Sequence, residues 1–218
     1  DPKRAQEEFD TIMDNLRSAM FVSTMDDWNE IDTSDGKLYT KFRLRAGELF
    51  YRVRGVEGVR EDIERNPDEL FHIPLSKKAL TNNERFSLAG FPSLYLASML
   101  PLAWQESGYP QRYYYSEFQY LKMIRRKKKI DFENEIKLLA LYSPQEIYMW
   151  GIAEKQNHFV LWLEVIRKCL MMYPLVMACA FVNHSGKGAY KQEYIIPQML
   201  MQWVQRNIDC IQGISYFT

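Results

Sequence analysis

The chain has 218 residues, of which 47% are hydrophobic and 14% aromatic, so it is long enough and apolar enough to bury a globular core. Lysine and arginine together number 28, as do aspartate and glutamate, and the formal net charge is zero. This balance argues against a nucleic-acid binder, and any anion-binding site must therefore be built locally.

The N-terminal region predicts a helix followed by a strand. Residues 3 to 20 place Phe9, Ile12 and Met13 at helical spacing. This spacing predicts an amphipathic helix that either packs on the rest of the domain or docks a partner. Alternating apolar residues then predict a strand over residues 37 to 45.

A second strand is predicted over residues 48 to 54. Because strand side chains alternate, Phe50, Arg52 and Arg54 share one face of it. Two arginines beside an aromatic ring are unusual in a core and suit the binding of a pyrophosphate. The alternative is an exposed face whose arginines form salt bridges.

Residues 84 to 107 carry three polar residues at fixed spacing. Arg85 lies ten residues before Tyr95, and Glu106 lies eleven residues after Tyr95. A guanidinium, a phenol and a carboxylate on neighbouring elements can face one cleft. We therefore treat these three residues as candidate site residues.

The elements that carry these residues are predicted as a turn, a strand and a helix. Gly90 and Pro92 predict the turn, because glycine tolerates positive φ and proline fixes its own φ. Residues 93 to 97 form an apolar run that is long enough only for a buried strand. Ser98 is then predicted to cap a helix over residues 99 to 106.

A basic and aromatic region follows. Residues 113 to 115 are three tyrosines, and residues 125 to 129 are five consecutive cations. Such a combination can bind nucleic acid. The acidic residues Asp131, Glu133 and Glu135 come directly after it, which is typical of a solvated and locally neutralised surface. Nucleic acid is therefore not an expected partner.

The C-terminal part predicts further helices and strands. Ser143 and Glu146 form a capping box, and the helix that they open runs toward Met172 with a bend near Gly151. The continuous apolar run at residues 175 to 182 predicts a central strand buried on both faces. A helix over residues 193 to 205 and a strand over residues 211 to 217 complete the chain. This irregular mixture predicts a single domain of the α+β class.

Cysteine usage and hydropathy bear on the compartment. Cys169, Cys179 and Cys210 are odd in number and lie in apolar stretches, which predicts buried, reduced thiols and a cytoplasmic protein. Charges throughout the first twenty residues argue against a signal peptide, and Pro174 interrupts the longest apolar stretch. The interrupted apolar stretch predicts no membrane partner. The spacing of the cysteines and histidines predicts no metal site.

The candidate site residues carry a resemblance to a known family. Arg85, Tyr95 and Glu106, with the sequence PSLYLAS around the tyrosine, resemble the RES domain, a family named for an arginine, a glutamate and a serine. Tyr51 and Arg52 resemble the start of the first strand in RES and ADP-ribosyltransferase-like folds.

The C-terminus extends this resemblance. Residues 194 to 198 and 213 to 218 resemble the last helix and strand of the family, and Thr218 stands where the family has its serine. The resemblance spans residues 48–218, which leaves residues 1–47 as an N-terminal helix and strand packed on that domain.

The resemblance implies an ADP-ribosyltransferase-like mixed β-sheet with surrounding helices, and an enzyme that degrades NAD by phosphorolysis or hydrolysis. NAD is then a substrate, and no cofactor is expected. Glu106, Tyr95 and Arg85 are the implied catalytic residues. Arg52 and Thr218, together with Arg85 and Tyr95, are implied to bind NAD.

Many members of the family are toxins paired with an antitoxin. The expected partners are therefore NAD, a cognate antitoxin or immunity protein, and further copies of the chain in a homo-oligomer. One alternative is an ADP-ribosyltransferase that modifies a macromolecule. Relatives of that type often carry a second carboxylate two residues before the catalytic one, where this chain has Trp104. The other alternative is a non-catalytic module that binds a partner.

Overall fold

The computed structural model describes residues 1–24, 29–33, 36–40, 49–61, 63, 66–81, 84–88, 90–119, 136–154, 159–181 and 191–217. The chain divides into two compact units. The terminal unit joins Asp1–Leu44 to Phe132–Thr218, and the central unit is Arg45–Asp131. The predicted division into an extension, residues 1–47, and a domain, residues 48–218, stays a prediction.

Helices and strands are mixed along the described residues. The helices are α1 (Pro2–Leu16), α2 (Leu100–Glu106), α3 (Pro144–Glu154), α4 (Phe159–Ala180) and α5 (Ile195–Arg206). The strands are β1 (Phe21–Thr24), β2 (Asn29–Thr33), β3 (Gly36–Thr40), β4 (Leu49–Gly55), β5 (Tyr113–Gln119), β6 (Lys137–Leu141) and β7 (Gly213–Tyr216). This mixture confirms the predicted α+β class. The ADP-ribosyltransferase-like arrangement of these elements stays a prediction.

The terminal unit contains a five-stranded sheet in the order β3-β2-β1-β6-β7. The pair β6 and β7 is parallel, and the other pairs are antiparallel. Leu139, Ala140 and Leu141 of β6 are consecutive and buried, which is the pattern of a strand covered on both faces. The unit therefore has its core around β6.

Helix α1 packs on α5 within the same unit. Gln6 donates a hydrogen bond from Nε2 to the carbonyl oxygen of Met199 at 3.2 Å, and Arg206 pairs with Asp10 at 2.9 Å. Phe9 is buried on the same helix. The predicted amphipathic helix is confirmed, and its apolar face serves packing inside this unit.

The prediction of a buried strand at residues 175 to 182 is wrong. Helix α4 continues to Ala180 with Pro174 inside it, and residue 182 lies outside the described residues. Met172, Val176 and Cys179 are buried at spacings of three and four, which is the helical period. Tyr173 and Met177 are exposed apolar residues at positions between them, so the sequence appears uniformly apolar and hides this period.

The helix predicted to run from the capping box to Met172 is also different in the structure. Two helices, α3 and α4, occupy this region. The capping box itself is confirmed, because Glu146 accepts from the Ser143 backbone at 2.7 Å and Ser143 Oγ accepts from the Glu146 backbone at 3.1 Å.

The central unit is built on an antiparallel ribbon of β4 and β5, in which Arg52 lies opposite Ser116. The strand predicted at residues 93 to 97 is wrong, since only Ala97 pairs with β4, through an isolated bridge to Tyr51. The predicted cap at Ser98 is wrong as well. Met99 occupies the cap position of α2, and its side chain makes no capping hydrogen bond.

The three cysteines differ in their burial. Cys169, Cys179 and Cys210 are free. Cys179 is buried as predicted, whereas Cys169 is half-buried and Cys210 is exposed, so the prediction of buried thiols is confirmed only for Cys179. Among the described residues, no helix is both long and apolar enough to span a membrane.

Candidate functional site

Strand β4 carries the first candidate, Arg52, and the segments that carry Tyr95 and Glu106 pair with or pack on this strand. Tyr51 exchanges backbone hydrogen bonds with Ala97 at 2.8 and 2.9 Å, which brings the end of the Tyr95 segment to the edge of β4. Helix α2, which ends at Glu106, packs against β4. One strand thus organises the elements that carry Arg52, Tyr95 and Glu106.

Arg52 and Arg54 hold a short 3-10 helix, Pro67–Leu70, beside the ribbon. Arg52 Nη1 donates to the carbonyl oxygens of Leu70, at 2.8 Å, and of Phe71. Arg54 Nη1 donates to the carbonyl oxygen of Glu69 at 2.7 Å and lies 3.8 Å from its carboxylate. These contacts give both arginines a structural role that the alternation of the strand alone did not predict.

The electrostatics of the two arginines differ. Burial, and then the neighbouring positive charge of Arg54, lower the pKa of Arg52. The carboxylate of Glu69 lies near Arg54. The attraction of an anion bound at Arg52 would offset the desolvation of this guanidinium and its repulsion from Arg54, whereas Arg54 already has a carboxylate beside it.

Arg85 and Tyr95 belong to one folded loop. Arg85 is buried, with 8% of its surface exposed. The phenol oxygen of Tyr95 accepts a hydrogen bond from the backbone of Phe86 at 2.9 Å, and Ser93 donates from Oγ to the Phe86 carbonyl oxygen at 3.2 Å. Both bonds tie the tyrosine segment to the residue next to Arg85. The structure therefore brings this arginine and this tyrosine together.

A turn closes the same loop. The backbone nitrogen of Phe91 donates to the Leu88 carbonyl oxygen at 2.9 Å, and Gly90 has a φ of 86°. Such a φ favours glycine, so the predicted turn at this position is confirmed.

Tyr95 remains a neutral phenol at physiological pH. Burial raises its pKa, and this effect exceeds the opposing hydrogen bonds with Ser87 and with the backbone of Phe86. A neutral phenol can donate a hydrogen bond or stack on a ring, but it does not act as an anionic nucleophile.

Glu106 is the last residue of α2, and it is exposed. The chain after it forms a tight C-terminal turn, in which Gly108 has a φ of 84° and Tyr109 a φ of 56°. Trp104 donates from its indole nitrogen to the Pro110 carbonyl oxygen at 3.0 Å, and its ring lies edge-on to Tyr109. These contacts fix the end of the helix that presents Glu106 to solvent.

One candidate lies outside the described residues, and one neighbour of Arg52 was not a candidate. Thr218 lies outside the described residues. Ser116 was missed by the sequence analysis, although it lies opposite Arg52 in the ribbon. The alternation of β5 contained the signal, but the register between β4 and β5 was needed to pair the two residues. Among the described residues, no group of three histidine, cysteine, aspartate or glutamate side chains is placed to hold a metal ion.

Comparison with known proteins gives one informative similarity. The chain is 30% identical over 203 residues to the protein named "Putative toxin YopC" from Bacillus subtilis (strain 168). The alignment covers 87% of this chain but only 40% of that relative, so the chain spans about two fifths of the relative's length. No family profile matches the chain, and no solved structure matches it.

Proposed function

We propose that this chain is a toxin-type enzyme of the RES kind, which degrades NAD by cleaving the bond between nicotinamide and ribose. The observation that carries the proposal is the arrangement around β4. Arg52 lies on this strand, the Arg85–Tyr95 loop leads into the segment that pairs with it, and α2 packs on it and ends at Glu106. The similarity to a protein named as a toxin supports the same proposal.

Glu106 is the proposed catalytic carboxylate. Cleavage of the nicotinamide–ribose bond passes through an oxocarbenium-like state, in which positive charge develops at the ribose carbon. A fixed carboxylate stabilises this state more than it stabilises the ground state, and only such a difference raises the rate. The exposed end of α2, held by the turn at Gly108 and Tyr109, leaves Glu106 accessible to a substrate.

Arg52 and Arg85 are the proposed contacts of the NAD pyrophosphate. Guanidinium groups bind phosphate oxygens through two parallel hydrogen bonds, which suits them better than lysine for this task. The hydrogen bonds of Arg52 to Leu70 and Phe71 both involve Nη1, and its Nε and Nη2 groups can donate to an anion. Burial and the charge of Arg54 lower the pKa of Arg52, and the attraction of a bound anion would offset both effects on the charged form.

Tyr95 would hold the ribose or the nicotinamide ring in place. Its backbone hydrogen bond from Phe86 fixes the phenol, so little rotational freedom is lost on binding. The nicotinamide ring carries a positive charge in NAD and leaves as a neutral molecule. The proposed reaction accordingly uses these side chains and either phosphate or water as the acceptor.

The proposal is tested by incubating the purified chain with NAD, with and without inorganic phosphate, and separating the products. Nicotinamide is expected to be released even when the reaction contains a metal chelator. ADP-ribose-1″-phosphate would identify phosphorolysis, and free ADP-ribose would identify hydrolysis. Intact NAD in both reactions, with a folded protein, would contradict the proposal. Turnover that a chelator abolishes and zinc or manganese restores would contradict the roles given to these residues.

A further inference from the structure

The terminal unit carries an open apolar cavity of about 300 Å³ beside α4. Ile166, Cys169, Tyr173 and Val176 line it, and their spacing of three or four places them on one side of the helix. Tyr148 of α3 lines it from the neighbouring helix. The NAD proposal makes no use of this cavity, which is built entirely from residues of the terminal unit.

An exposed apolar surface surrounds the cavity. We call it the α4 patch, and it consists of Tyr148, Leu163, Leu170, Tyr173, Met177 and Phe181. Leu170 exposes 68% of its surface and Phe181 exposes 60%. If each large side chain exposes on the order of 100 Å², the six side chains together expose roughly 600 Å², about three quarters of the ~800 Å² that each partner of a standard interface buries. This area lies at the upper limit of the range for the largest patch on a typical monomer, about 300–600 Å², and such patches are often functional.

The charges around the patch favour a neutral partner. Glu164 and Arg167 pair with each other on α4 at 2.5 Å, and Lys168 is buried. The whole chain has a formal net charge of zero, so two copies do not repel each other at long range. These features point to a second copy of this chain rather than to a strongly acidic or basic protein.

We propose that the α4 patch is a homodimer interface, in which two α4 helices pack antiparallel and Phe181 of each copy fills the cavity of the other. A twofold interface uses the same surface on both copies, so that surface must carry both the projection and the cavity that receives it. The α4 patch carries both, with Phe181 exposed directly after the helix and the cavity beside the middle of the helix.

The spacing along α4 is compatible with this packing. Cys169 and Phe181 are twelve residues apart, which corresponds to roughly 18 Å along a helix. An antiparallel pair that places Phe181 opposite Cys169 of the second copy also places Tyr173 opposite Met177 of that copy. Methionine sulfur packs favourably against aromatic rings, so this register pairs complementary side chains.

Sedimentation of the purified chain tests the dimer. The parent chain is expected at twice its mass of 26.0 kDa at micromolar concentration. Leu170→Asp is expected to raise the dissociation constant by on the order of 10²-fold, because the interface would bury an unpaired charge. Its thermal midpoint should match that of the parent measured at a dilution that dissociates the dimer, since Leu170 is exposed. Ile12→Asp, at an exposed apolar position of α1, is the control and should remain dimeric.

A photochemical experiment tests the register. Phe181 is replaced by the cross-linker p-benzoylphenylalanine, and copies labelled with light and heavy nitrogen are mixed before irradiation. Cross-links from position 181 to Tyr148, Cys169 or Met172 of the other isotope are expected. A parent chain that sediments as a monomer would overturn the proposal, even if another protein bound the patch. A dimer that Leu170→Asp leaves intact, or cross-links outside the cavity, would also overturn it.

Discussion

Glu106 occupies a position that does little for the stability of its helix. It lies at the C-terminal end of α2, where the unpaired backbone carbonyls already carry partial negative charge. We predict that Glu106→Gln leaves the thermal midpoint unchanged or slightly higher. NAD turnover should fall by on the order of 10²–10³-fold, the usual effect of removing one preorganised electrostatic group.

The comparison of turnover, binding and thermal stability separates catalysis from folding. The Michaelis constant for NAD should change much less than the rate, because the arginines provide most of the ground-state binding. The double variant Gln105→Glu with Glu106→Gln is a matched control, because it moves the carboxylate by one residue on α2 without changing the net charge. It should not restore turnover. An unchanged rate in folded Glu106→Gln would remove this residue from the proposed chemistry.

Arg52 and Arg54 allow a second residue-level prediction. Both guanidinium groups bond to backbone carbonyls of residues 69 to 71, but the Glu69 carboxylate lies beside Arg54. We predict that Arg52→Lys weakens NAD binding by roughly 10–100-fold, as expected for the loss of one charge-assisted hydrogen bond of about 1.5–3 kcal/mol. Arg54→Lys makes the same chemical change on the same strand face and should leave NAD binding nearly unchanged.

The measurement is calorimetric binding of NAD and of nicotinamide mononucleotide, which has a single phosphate. The parent chain should prefer NAD, and Arg52→Lys should reduce that preference. Equal losses in Arg52→Lys and Arg54→Lys would show that the common contacts with the 3-10 helix, rather than an anion, explain the effect.

At the level of elements, the turn after α2 determines where Glu106 points. Gly108 has a φ of 84°, and a Cβ atom built on it would meet nothing within 4 Å, so only backbone strain opposes a substitution. We predict that Gly108→Ala lowers stability by about 1–2 kcal/mol and shifts the thermal midpoint by roughly 2–4 °C per kcal/mol. Turnover should fall as well, because the end of the helix moves with the turn.

Gly58 provides the control for this prediction. Its Cβ position is also empty, and its φ lies outside the strained region. Gly58→Ala should therefore change neither the midpoint nor the turnover. Equal behaviour of the two variants in a thermal melt would contradict the importance of positive φ at Gly108.

The same elements show which parts of the fold can be predicted from the sequence. The capping box at Ser143 and Glu146 and the turn at Gly90 depend on chemistry within a few residues, and both were predicted correctly. The end of α4 was predicted as a strand, because exposed apolar residues such as Leu170 and Met177 conceal the helical period. Their exposure is understandable if the α4 patch binds a second copy.

For the candidate site, the sequence indicated the residues but not their contacts. Spacing, strand alternation and the resemblance to the RES family selected Arg52, Arg85, Tyr95 and Glu106 without any knowledge of strand pairing, and the roles of these residues in a site stay predictions. The contacts of Arg52 with Leu70 and Phe71 could not be predicted, because they depend on how a loop fifteen to twenty residues later folds back on the strand. Contacts between residues so far apart in the chain are set by tertiary packing, and local sequence patterns do not contain them.

At the level of the whole molecule, the proposed chemistry predicts a cellular effect. The chain resembles a protein named as a toxin, and an enzyme that consumes NAD deprives a cell of a cofactor that many reactions share. We predict that induced expression of the parent chain in bacteria lowers the NAD content before growth stops. Glu106→Gln, expressed to the same level, should preserve both the NAD content and growth.

The order of events decides the interpretation, because many toxins reduce NAD indirectly once a cell is dying. NAD and colony counts should therefore be measured at short intervals after induction, with Gly58→Ala as a folded variant that keeps the toxicity. Leu170→Asp adds a separate comparison, since it alters the proposed dimer interface and leaves Arg52, Arg85, Tyr95 and Glu106 in place. Growth arrest by Glu106→Gln equal to that of the parent, or arrest that precedes NAD loss, would assign the toxicity to an activity other than NAD cleavage.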